Sequence, residues 1–219
     1  MASYTLEKLT GWVQNAAPRV QSAGTELQQA RAAIQALTKT LNDLSRQKNQ
    51  VEANISRIRG EIAALESQLN SVDDEEDDGS AASIVSQISA LEGQLAQYEN
   101  VWHQIVSGIQ RARAEIRAKQ QEASVCTAKL QKMDEALDGI HDGFNEHFQE
   151  GVAAKETFSR LAGGRFGAAE ASANAALMQE RINICMSFQN QIRSLQAWIR
   201  QLVDTGEDRQ KELTLGRSR

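Results

Sequence analysis

The 219 residues include one proline, two tyrosines and five phenylalanines, too few aromatic residues and turn formers for an ordinary mixed fold. The formal charge is -5, and the run Asp73, Asp74, Glu75, Glu76, Asp77 and Asp78 alone carries -6, so -5 less -6 leaves +1 for the rest. No strongly basic field covers the chain as a whole, and nucleic-acid or anionic-membrane binding is not expected.

The first residues, MASYTLEKLTGW, lack a basic stretch followed by an apolar one, and no window approaches the length of a membrane-spanning helix. Two cysteines, Cys126 and Cys185, do not make a disulfide framework. These features point to a reduced, cytoplasmic protein, with export by a signal-less route left open.

The first helix is expected from about Tyr4 to Val72. Leu27, Ile34, Leu41, Lys48, Ile55, Ile62 and Leu69 recur every seven residues, with Leu37, Leu44, Val51, Ile58, Leu65 and Val72 interleaved. This is the a/d pattern of a coiled coil. The pattern extends back through Ala23, Val20, Ala16, Val13, Leu9 and Leu6, but Pro18 interrupts it. A kink or break is expected near residues 14–18, with Asn15 capping a restart. The acidic run and Gly79-Ser80 then form a turn, after which Ser80 or Ser83 can cap the next helix.

The second helix carries two heptad sets, one through Ile88, Leu95, Trp102, Ile109 and Leu130 to Phe144, the other through Ile84, Leu91, Tyr98, Ile105 and Cys126 to Ile140 and His147. It is expected to end near Leu161, before Gly163-Gly164. The third begins near Ala168, with Met178, Arg181, Cys185, Phe188, Ile192, Leu195, Ile199 and Leu202 as its seam.

The expected fold is all-α: an elongated antiparallel coiled-coil hairpin of helices 1 and 2, with helix 3 folding back to make a three-helix bundle at the base. The base comprises 4–36, 120–162 and 168–210. A two-helix arm of ~55 Å comprises 37–119, with the acidic turn at 73–80. Two hairpin registers are open. One sets Leu69 opposite Leu91 and pairs large with small residues, as in Ala16 with Phe144, Ala23 with Leu137, Lys48 with Ala112 and Leu9 with Gly151. The other sets Leu69 opposite Ile84 and Ala30 against Ala123. Interdigitation favours the first. Trp12, Ala17, Ala32, Ala33, Val125, Ala128, Ala136 and Phe148 are expected to widen the apolar stripe in the base.

Candidate chemistry is sparse. Asp138, His141, Asp142 and Asn145 share one helix face, and Glu146, His147 and Glu150 another. No matching histidine comes from helix 3, so a solvated surface is expected and no metal. No catalytic constellation or phosphate loop is present, so neither enzymatic activity nor a cofactor is expected. The dense glycines, Gly139 to Gly167, mark either close packing or a hinge. Lys48 and Arg181 at seam positions either fix register or extend their charged ends past the seam.

Val101, Trp102, Ile105, Val106 and Ile109 make an apolar face broader than a two-helix seam needs, which reads either as ordinary partial exposure of Val101 and Val106 or as a lateral contact with a protein partner or a second subunit. The expectation is a non-enzymatic coiled-coil scaffold or assembly subunit. Two alternatives remain: an exported or membrane-active helical protein that rearranges at its glycines, and a regulator that docks an enzyme or a nucleic-acid machine through the acidic residues 73–78.

Overall fold

The structure is a computed structural model that describes residues 4–71, 79–164 and 167–215, the stretch 206–215 by backbone alone. Among the described residues it contains α1 (Leu6–Leu69), α2 (Ser80–Ala162) and α3 (Ala168–Leu215). The acidic run 73–78 lies outside the described residues, as do Val72 and the last four residues.

Local chemistry sets the helix ends. Thr5 caps α1: its hydroxyl accepts from the Lys8 amide at 3.4 Å and its carbonyl from the Leu9 amide at 3.1 Å. Gly79 and Gly167 precede α2 and α3 with φ of 92° and 73°, a left-handed conformation that costs glycine little. Their carbonyls accept the amides of Ser83 and Ala171 at 3.2 and 2.9 Å. At the end of α2, Gly163 and Gly164 donate to the carbonyls of Arg160 and Leu161.

The break expected near Pro18 is not there. Pro18 lies inside a continuous α1. The ring frees the carbonyl of Gln14, but Gln14 and Pro18 are both exposed, so water can satisfy that group. Val13 and Val20, buried to 1% and 0% exposure on either side, anchor both halves in one core.

The chain divides into two compact units: Met1–Gln29 with Glu122–Arg219, and Ala30–Gln121. In the first, α3 packs back on α1 and α2 as a three-helix bundle. Leu9, Val13, Val20 and Leu27 of α1 meet Leu130, Leu137 and Phe144 of α2 and Cys185, Ile192 and Ile199 of α3. Phe144 and Phe188 stack at 5.4 Å. Each fully buried Leu, Ile or Phe contributes about 1.5–3 kcal/mol. The second unit is an antiparallel two-helix coiled coil. Val51, Ile105 and Ile109 form its centre, with Leu41, Leu44, Ile55, Tyr98 and Trp102 packed around them.

The hairpin adopts the register that sets Leu69 opposite Ile84, not the one favoured by large-with-small pairing. In the second unit, Leu44 lies 3.4 Å from the Cβ position of Gly108, and Trp102 bonds Glu52. In the first, Leu9 lies 3.1 Å from the Cβ position of Gly143, and Cys126 contacts Glu26. The physical reason is the third helix. In the bundle, small residues of α1 and α2 are matched by large ones of α3. A Cβ on Gly24 would run into the Trp198 ring and lie 2.9 Å from Leu202. Gly151 meets Ile182 rather than Leu9.

The flank that α3 covers carries Gly24 of α1 and Asp134 and Asp138 of α2. Arg200 bonds Asp134 at 3.3 Å, and Gln196 bonds Asp138 at 2.6 Å. The other flank stays open, which corrects the expectation for Trp12, Val125, Ala128 and Ala136: all four are exposed, and so is Ala32.

Candidate functional site

The broad apolar face on α2 divides once the seam is folded. Ile105 and Ile109 point inward and are 8% and 7% exposed. Trp102 packs against them, half-buried. Val106 is half-buried, whereas Val101 keeps 43% of its surface exposed. The heptad places Val101 and Val106 on opposite flanks of the Trp102 seam.

A polar clamp holds Trp102. Its indole N–H donates to Glu52 Oε1 at 3.0 Å, and Lys48 Nζ donates to the same oxygen at 2.7 Å. The Lys48 hydrogen bond, followed by that of Trp102, holds the Glu52 carboxyl below its ordinary value. Lys48 thus reaches along its own helix from the seam to Glu52. Across the helices, Arg59 pairs with Glu99 at 2.8 Å.

Arg181 joins a second polar cluster, in the bundle. Its Nη2 donates to Glu150 Oε2 at 2.8 Å and to Nδ1 of His147. His147 Nε2 lies 2.6 Å from the Tyr4 carbonyl, which fixes the tautomer with its proton on Nε2. The cluster therefore ties α2 to α3 and to the residue two before α1. His147 is 8% exposed, which corrects its placement on a solvated face. The sequence signal was its position in the second heptad set of α2. Burying an imidazole there requires partners, and Tyr4 and Arg181 supply them.

The remaining candidates serve packing. His141 is part-buried, with Nδ1 4.0 Å from Asp142, and among the described residues no three His, Cys, Asp or Glu side chains converge as metal ligands do. Both cysteines are free thiols. Burial, then the nearby charge of Glu26, raises the Cys126 thiol above its ordinary value, and burial raises that of Cys185. Gly143 and Gly151 sit inside the unbroken α2 against Leu9 and Ile182, while Gly139 faces open space. An open groove of about 680 Å³ between α2 and α3 is walled by residues that include Lys155, Glu156, Arg160 and Gln179. It mixes both charge signs around no focal point. Among the described residues no helix is long and apolar enough to cross a membrane.

The acidic residues Asp73 to Asp78, the other candidate contact, are outside the described residues. Comparison with protein-family models, curated proteins and solved structures finds no match, so the functional reading rests on the geometry.

Proposed function

We propose that the chain is a non-enzymatic scaffold or assembly subunit that works through helix-helix contacts made by the two-helix unit. The supporting observation is Val101, 43% exposed beside the clamped Trp102 at the middle of that unit. An isolated exposed valine is ordinary. Here it adjoins an aromatic ring whose polar end is already satisfied, leaving an apolar edge of the kind buried at the centre of protein interfaces. A two-helix seam closes only a narrow stripe, so a further helix laid along either edge would bury what remains open.

The test is retention of partners by the immobilised chain, offered its native cell extract and its own soluble form, compared with Val101→Asp. The variant changes an exposed position, so helicity and melting temperature are expected to stay the same while retention falls about tenfold or more. Equal retention by the two chains, or none by either, would remove this reading.

A further inference from the structure

The observed register reveals a charge polarity that the linear sequence shows only in part. It levels residue 50 with residue 103, so the two-helix unit falls into two halves: 30–50 with 103–121, and 51–102. In the first half, Arg31, Lys39, Arg46 and Lys48 oppose only Asp43 on α1. On α2, Arg111, Arg113, Arg117 and Lys119 oppose only Glu115, which makes that half +6. In the second half, Arg57 and Arg59 are outnumbered by Glu52, Glu61, Glu66, Glu92 and Glu99, which makes its described residues -3.

The unit is about 60 Å long at 1.5 Å per residue. The centres of opposite charge lie several Debye lengths apart and are screened from one another within one chain. Lys48 and Glu52 meet across the boundary within the chain, but the charges farther from it come together only through another molecule. Val106, half-buried, lies next to the boundary between the halves.

We propose that this unit associates with a second copy of itself, side by side and antiparallel, positive half against negative half. The inference rests on the scaffold reading and adds a partner for the flank opposite Val101. Parallel alignment would set like halves together, whereas a two-fold axis at the boundary matches them twice. One flank of α2 gives the pairing in residue terms. Val85, Glu92, Glu99, Val106 and Arg113 fall seven apart on it. Glu92, Val85 and Arg113 are exposed, and Val106 is half-buried. A two-fold axis between Glu99 and Val106 sets Glu92 of each copy opposite Arg113 of the other, and Val106 against the stem of Glu99.

The experiment is sedimentation velocity of the full chain over a concentration series at low and high salt, with the variants Glu92→Arg, Arg113→Glu and the double exchange. Wild type is expected to self-associate at low salt and to weaken about tenfold at high salt, where the Debye length falls to about 3 Å. Each single exchange creates two like-charge contacts and is expected to weaken association about tenfold. The double exchange restores opposite charges and is expected to recover it. Both positions of change are on the surface, and circular dichroism confirms folding. A wild type that stays monomeric at low salt would overturn the proposal, as would a double exchange no better than the singles. The Val101 test is told apart by its cell-extract arm, which reads a partner on the opposite flank whether or not the chain pairs with itself.

Discussion

The bundle and the two-helix unit use the same heptad, but they close it differently. In the bundle, Leu9, Leu27, Leu130, Phe144, Cys185 and Ile192 all reach 0% exposure. In the two-helix unit, Val51, Ile105 and Ile109 keep 7–8%, and only Ile58 reaches 0%. Three helices surround a side chain, whereas two leave most seam residues with an edge toward water. The bundle therefore closes its centre, although Trp12 and Val125 stay exposed on its open flank, and the two-helix unit leaves most of its seam partly open.

The largest expected effect contrasts the two cores. Phe144→Ala removes a fully buried ring stacked on Phe188 and is expected to cost about 3–5 kcal/mol. Val51→Ala trims a smaller side chain at a site that can relax into solvent, with an expected cost of about 1–2 kcal/mol. Chemical denaturation of the two variants measures both. Equal costs would erase the distinction between a closed and an open core.

Next comes the polar cluster of the bundle. Arg181→Ala strips His147 Nδ1 and Glu150 of their donor and is expected to cost about 1–3 kcal/mol. It should also shift the His147 imidazole nitrogen resonance, while Lys48→Ala in the other unit leaves that resonance in place.

The smallest effect is the pH dependence of the Trp102 clamp. The folded Glu52 carboxyl lies below its unfolded value, so its contribution is present above the unfolded pKa and fades as pH falls through the folded one. Acidification should therefore release Lys48 and the indole and shift Trp102 fluorescence. Measured in a background with Trp12 and Trp198 replaced by Phe, the shift should disappear in Glu52→Gln.

Seam residues were legible because their period is local: Leu27 to Leu69, Ile84 to Phe144 and Met178 to Leu202 can be read from spacing alone. Register was not, because sliding one helix by a whole heptad keeps every a and d facing inward. The choice depended on Trp198 and Leu202 filling the space above Gly24, contacts between residues far apart in sequence. Pro18 misled because its local cost is set against packing of Val13 and Val20 that no local rule includes. The clamp on Trp102 and the buried role of His147 likewise needed partners from other helices. The charge polarity was legible in part: Arg111, Arg113, Arg117 and Lys119 cluster in the linear sequence, but they join the basic stretch 30–50 only when 103–121 lies against it.

The central claim is that a second copy of the chain docks on the two-helix unit and not on the bundle. Hydrogen-deuterium exchange of the full chain at low and high protein concentration, in low salt, tests it most directly. The account expects added protection at high concentration in peptides spanning 92–113, with peptides of 122–162 and 168–205 unchanged. Protection gained in the bundle peptides, or in none at all, would contradict it.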